Sequence, residues 1–206
     1  MSNAWTWQPI RSLVTGNQDT PVGVNLAKTY LRVSTTADDT LIGRMLETAT
    51  LWAESYTRRA FLTQTWDFSY RSWFTASRPL WIPNPPLQSI TSVKYYDEDG
   101  ALQTLGSSNY VVFTQSGPRA GKGRIEIADG ISLPSVSSIV EYPVVVRAVC
   151  GYGTNGDVPV GIGDVVLFMV GEMYEQRQET ITGTISAKTQ MYLEKRLAPY
   201  VVKDAI

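Results

Sequence analysis

The sequence predicts an α+β fold: a small antiparallel helical core of about four helices, two at each chain end, with an antiparallel β unit inserted between them. Three observations carry this. Apolar residues recur at three- and four-residue steps in residues 37–57 and again from Ile162 to Met173. From Trp66 the period changes to two, with Trp66, Phe68 and Tyr70 alternating with Asp67, Ser69 and Arg71. Asp97-Glu98-Asp99-Gly100 then reads as a hairpin turn, because Asp-Gly adopts the positive φ angles of tight turns. The expected layout is an N-terminal arm at 1–21, helical core at 22–60 and 152–206, and the β insert at 61–151.

Residues 1–21 are polar and mixed, hence read as a loose arm. Its Trp5 and Trp7 are expected to fold back on their own domain rather than on a neighbouring subunit. A short helix is predicted over Asn25–Val33. A longer one follows over 37–57, with Leu41, Ile42, Met45, Leu46, Ala49, Trp52, Ala53 and Tyr56 as its apolar stripe. Thr36 and Asp39 have capping-box spacing. Asp38 and Asp39 suit the positive end of the helix dipole, and Arg58 and Arg59 suit the negative end. Further strands are expected at Ser89–Tyr96, Ala101–Leu105, Tyr110–Thr114, Gly123–Ile127 and Pro143–Gly151. Pro79, Pro83, Pro85 and Pro86 punctuate the stretch before them. A third helix is expected from Ile162 to about Gln178, a polar stretch over Glu179–Ser186, and a last helix over Ala187–Leu197.

Composition narrows the function. Of the 206 residues, 43% are hydrophobic and 18% charged, enough apolar material for a core. Eighteen Lys and Arg face 19 Asp and Glu, a net charge of −1, which argues against tight non-specific DNA binding. The single cysteine, Cys150, rules out an internal disulfide and fits a reducing compartment. Residues 1–11 lack a basic start and an apolar run, so no signal peptide is expected. The longest strong apolar run, Val165–Val170, is short of the roughly 18 residues a membrane span needs, so no membrane partner is expected.

Histidine is absent from the chain. That excludes Ser–His and Cys–His nucleophilic mechanisms and removes the commonest zinc ligand. Cys150 sits in a run of small and apolar residues and is expected to be a packing thiol. Asp67, Glu126 and Asp129 are the candidate carboxylates for acid–base work, but no spacing singles out a pair. Asp97, Glu98 and Asp99 lack the spaced oxygen ligands of a calcium loop. No catalytic residue, metal ligand or cofactor is therefore assigned. Gly117–Arg124 is basic and Gly-rich, yet lacks a phosphate-loop pattern and precedes a strand. It is read as a surface loop, with Arg119, Lys122 and Arg124 as the residues for a DNA or partner contact. Gly151 and Gly153 are expected to supply unusual backbone angles. The aromatics Trp66, Trp73, Trp81, Tyr95 and Tyr96 are assigned to core packing rather than to a sugar platform.

The order of several motifs resembles a known family. Val22–Val33 is similar to the opening of tailed-bacteriophage head–tail connector (adaptor) proteins, as are Asp38-Asp39 with Leu41-Ile42 and the later Ala49, Trp52, Ala53, Glu54 and Tyr56. Leu62–Trp66 resembles the junction that follows. Pro85–Val93 with Tyr95-Tyr96-Asp97 resembles the version carrying a β insert. Gly151-Tyr152-Gly153, Val158-Pro159, Tyr174–Arg177 and Leu197–Tyr200 close the series, while Gly161 and Gly163 depart from it where helix formers are expected.

The resemblance implies a structural subunit without catalysis. It implies a ring of about twelve copies beneath the portal protein. That ring would bridge to a head-closure or tail-completion protein and let duplex DNA pass. Its place would be the virion head–tail junction, after assembly in the host bacterial cytoplasm. A near-neutral chain suits a conduit through which DNA slides. The family's use of its C-terminal segment makes Tyr192, Lys195, Arg196 and Tyr200 the expected portal contacts. Deletion of 187–206 is then expected to leave a folded subunit that no longer binds portal. The alternatives are a carbohydrate-binding module or small carboxylate glycosidase of a phage tail, and a DNA-binding packaging accessory protein supported only by the 117–124 segment.

Overall fold

In the computed structural model the described residues are 9–16, 19–75, 78–176 and 187–203. Trp5 and Trp7, and the polar stretch expected at 179–186, lie outside them. The chain is α+β, with four helices and two antiparallel sheets among the described residues. Its contacts divide it into two compact units, one holding the strands and one the helices together with Gly117–Arg119.

The helical unit contains α1 (Val24–Leu31), α2 (Asp39–Thr57), α3 (Val160–Glu175) and α4 (Ala187–Leu197). In α2, Ile42, Leu46, Ala49 and Ala53 are buried at the expected helical spacing. They pack mainly on α3, where Ile162, Val165, Val166, Met169 and Val170 close the same core. Burying each large aliphatic side chain contributes roughly 1.5–3 kcal/mol. Leu193 and Leu197 of α4 reach the same cluster.

Local details differ from the sequence reading. The capping box at Thr36 and Asp39 does not form. Instead Tyr174 Oη donates to Asp38 Oδ2 (2.6 Å), and Lys28 Nζ pairs with Asp39 Oδ1 (2.6 Å). Helix α1 stops at Leu31 because Arg32 turns into the left-handed region at φ 59°. Helix α3 begins at Val160 and includes both unexpected glycines. A Cβ at Gly161 would stand 2.7 Å from the Tyr200 hydroxyl, so glycine there makes room for the tyrosine.

The β unit contains β1 (Ile10–Thr15), β2 (Gln64–Tyr70), β3 (Leu80–Ile82), β4 (Leu87–Tyr96), β5 (Leu102–Leu105), β6 (Tyr110–Phe113), β7 (Gly123–Ile127) and β8 (Val144–Cys150). The larger sheet has the order β1-β2-β8-β4-β5 and the smaller β3-β7-β6. Strand β8 alternates strictly, burying Val144, Val146, Ala148 and Cys150, beside the buried Phe68 and Tyr70 of β2. Asp97 builds the β4–β5 turn with its own carboxylate. Oδ1 accepts from Ala101 N and Oδ2 from Gln103 Nε2, and these bonds lower its pKa, the Gln103 bond most.

Two strands escaped the sequence reading. Residues 10–15, expected in a loose arm, form β1 paired with β2, with a bulge between Leu13 and Thr15. All six of its residues are exposed, so no burial period marks it. Strand β3 is three residues long and sits among the prolines.

Candidate functional site: partner-contact surfaces

The candidate carboxylates do not assemble into an acid–base pair. Asp67 lies opposite Arg147 in the larger sheet and accepts two bonds from its guanidinium (2.8 and 2.7 Å), which raises the Arg147 pKa. Glu126, on β7, pairs with Arg124. Asp129 is exposed in the turn after β7. Among the described residues, no group of three or more Cys, Asp or Glu could hold a metal ion, and no helix is long and apolar enough to cross a membrane. Trp73 donates its indole N–H to Pro134 O (2.7 Å) and packs against Phe74 and Tyr95, a structural placement.

Cys150 is fully buried, and burial pushes its thiol up from 9.0 to about 12. Iodoacetamide is expected to leave the native thiol unmodified at about pH 8 and to alkylate it after denaturation. Equal rates in both states would contradict the burial. The linkage has a definite sign. The folded thiol keeps its proton between pH 9.0 and about 12, where the unfolded thiol loses it. This contribution is complete below pH 9.0 and is lost above it, at about 1.4 kcal/mol per pH unit. Cys150→Ala should flatten that part of the alkaline unfolding profile.

The C-terminal candidates separate into two groups. On α4, Leu193 and Leu197 face the core while Tyr192, Lys195 and Arg196 face outward, as the helical period requires. The Tyr192 ring packs on Phe168 of α3 at 4.9 Å, and the Arg196 guanidinium lies 5.2 Å above Tyr192. The result is an ordered basic–aromatic surface. Tyr200 instead serves the helical unit. Its carbonyl accepts from the buried Arg59, and its ring packs against the core. Burial lowers the Arg59 pKa, and the neighbouring Tyr152 opposes that shift. Val202, buried, donates its N–H to Thr57 O (3.0 Å). The expectation that deleting 187–206 leaves a folded subunit is therefore corrected: the deletion removes core residues.

The basic segment is also divided. Arg119 is exposed in a loop fastened at both sides, by Tyr152 Oη donating to Pro118 O (2.7 Å) and by Gly121 N donating to Gln115 Oε1 (2.9 Å). Lys122 is half-buried just before β7. Arg124 is not in the loop but within β7. Its guanidinium lies 4.4 Å from the Phe113 ring centre and 5.6 Å from that of Trp81, and it is ion-paired with Glu126. The three cations thus do not form one free basic patch.

Two surfaces were invisible in the sequence. One is the exposed strand β1. The other is the row Trp81–Arg124–Phe113 across the smaller sheet. No local signal marks that row, because its members come from three strands joined only by pairing register.

Among the described residues this architecture has four helices in one unit and two antiparallel sheets in the other, and it is similar to that of chains in solved particle structures. It matches a chain from the neck of an empty gene transfer agent particle with C6 symmetry. The TM-score is 0.75 at 18% identity, over 96% of this chain and 97% of that one. A chain from the virion of a native gene transfer agent particle matches at TM-score 0.74 and 17% identity, over 96% and 97%. One from the neck of the native particle with C12 symmetry matches at 0.65 and 14%, over 95% and 97%. No family model matches the chain, and no curated protein matches it.

Proposed function

We propose that this chain is a structural, non-catalytic subunit of the neck of a tailed virion or virion-like particle. It forms a connector ring of about twelve copies under the portal. The ring bridges to a head-closure or tail-completion protein, and duplex DNA passes transiently through it. The observation that carries the reading is the end-to-end fold match to chains of gene transfer agent necks, over nearly the whole of both chains. The motif order of connector proteins in the sequence supports it independently. A net charge of −1 suits a conduit for sliding DNA. Compensation of Arg124 by Glu126 counts against direct DNA binding by the 117–124 segment.

The portal-facing surface in this reading is Tyr192, Lys195 and Arg196, with Tyr200 supporting it from inside. The test is binding of the purified chain to the portal protein of its own particle. The combined variant Tyr192→Ala, Lys195→Glu, Arg196→Glu should weaken binding by about tenfold or more while the melting curve stays within a few degrees. Unchanged binding would discard this placement. Failure of the unmodified chain to bind any portal or head-closure protein of that particle would discard the connector reading itself.

A further inference from the structure

Among its described residues the β unit exposes two unlike apolar surfaces. The first is the outer face of the smaller sheet. Trp81, Arg124 and Phe113 are direct cross-strand neighbours on β3, β7 and β6, and Val111 lies opposite Glu126 in the adjoining row. Trp81 is 44% exposed, Phe113 38% and Val111 44%. Arg124 lies against both rings and is neutralised by Glu126, so the row is rigid, aromatic and without net charge. Such a face is poorly suited to phosphate. It has the aromatic and arginine composition of the energetic centre of a protein interface.

The second surface is β1. It is the edge strand of the larger sheet among the described residues, paired there on one side with β2. Ile10 is 52% exposed, Leu13 50% and Val14 43%. Arg11, its one cation, donates to Asn84 Oδ1 (3.0 Å). An exposed apolar edge invites association, and natural edge strands normally carry charges or a cover against it.

We infer that these surfaces are the two halves of one contact between neighbouring copies of this chain, with β1 of one copy seated on the Trp81–Arg124–Phe113 row of the next. This rests on the ring reading above. A cyclic ring needs a head-to-tail contact, in which two different patches of each chain meet. The β unit carries one aliphatic and one aromatic patch, both low in charge, and so supplies such a pair. An aliphatic strand on an aromatic face buries apolar area on both sides without stranding a charge, since Arg124 and Arg11 already have partners.

The test uses single-cysteine substitutions, which report cleanly because the native Cys150 is buried. Leu13→Cys and Val111→Cys chains are treated with a short bis-maleimide, alone and mixed, on the concentrated full chain and on the chain bound to portal protein. The same samples are imaged by electron microscopy. The mixture should give a cross-linked dimer and each variant alone should not; the double variant should give a ladder. Trp81→Ala or Phe113→Ala should reduce the product by about tenfold or more with the fold intact. Ile10→Asp, on the opposite half and compatible with the cysteine at position 13, is the independent check should either ring deletion disturb folding.

Self-cross-linking of Val111→Cys alone would mean a symmetric contact and overturn the inference. So would a yield insensitive to Trp81, Phe113 and Ile10. Rings in the micrographs without the Leu13–Val111 product would overturn the contact and leave the connector reading standing. Absence of rings, of product and of portal binding would overturn both.

Discussion

Leu197→Ala is expected to lower the stability of the helical unit by about 2–5 kcal/mol, read as a shift in urea unfolding followed by far-UV circular dichroism. Leu197 and Leu193 are fully buried and complete the core built by α2 and α3. Truncating Leu197 removes apolar contacts and leaves a cavity that the tightly packed helices can fill only in part. Removal of residues 187–203 should be more severe. It also takes one acceptor, the Tyr200 carbonyl, from the buried Arg59, and the bond from Val202 N to Thr57 O. Loss of a buried hydrogen bond costs about 0.5–1.5 kcal/mol, more when one partner is charged. The truncated chain is therefore expected to lose the cooperative transition of its helical unit. By contrast, Lys195→Ala on the outer face should change stability by no more than about 0.5 kcal/mol. A Leu197→Ala shift as small as that of Lys195→Ala would refute the core assignment of α4. The contrast matters for function, since binding lost on truncation would report unfolding rather than a docking surface.

Gly123→Ala should destabilise the β unit by about 3 kcal/mol, at the upper end for overpacking. A Cβ at this position would lie 2.3 Å from Leu87 Cδ2 and 2.6 Å from Leu87 Cβ. The first contact is with a side-chain end, but the second is with an atom fixed to the backbone of β4, so a strand must move. Gly123 opens β7 and pairs with Ile82, which places the strain next to the Trp81–Arg124 row. Leu87→Ala alone costs a cavity; combined with Gly123→Ala it removes the overlaps with Leu87 Cδ2 and Cγ but keeps the one with Cβ, so it relieves the strain in part. The double-mutant cycle should therefore give a coupling of about 1 kcal/mol or more, with the double variant more stable than the sum of the single changes. Additive costs would refute the close approach of β7 to Leu87.

The legible parts of the fold were those with a burial period. Helix α2 reads from Ile42, Leu46, Ala49 and Ala53, and β8 from the alternation of Val144, Val146, Ala148 and Cys150. Strand β1 has no such period because all six of its residues are exposed, and β3 is too short to establish one. Among the candidate site residues, Tyr192, Lys195 and Arg196 fall on the open face that their helical spacing implied. Arg124 could not be assigned from composition alone. Its neighbours Trp81 and Phe113 are distant in sequence and meet it only through strand register.

By itself, the sequence determined the α+β class, the order of the recognisable elements and the absence of histidine chemistry. These depend on residue identity and on local spacing, which folding does not alter. Tertiary structure alone decided that Leu193 and Leu197 are the residues that tie α4 into the core, that Gly161 makes room for Tyr200, and that Arg124 is a compensated member of an aromatic row. Each of these depends on contacts between segments far apart in the chain, where the energy of packing and pairing is set by neighbours that a local pattern does not name.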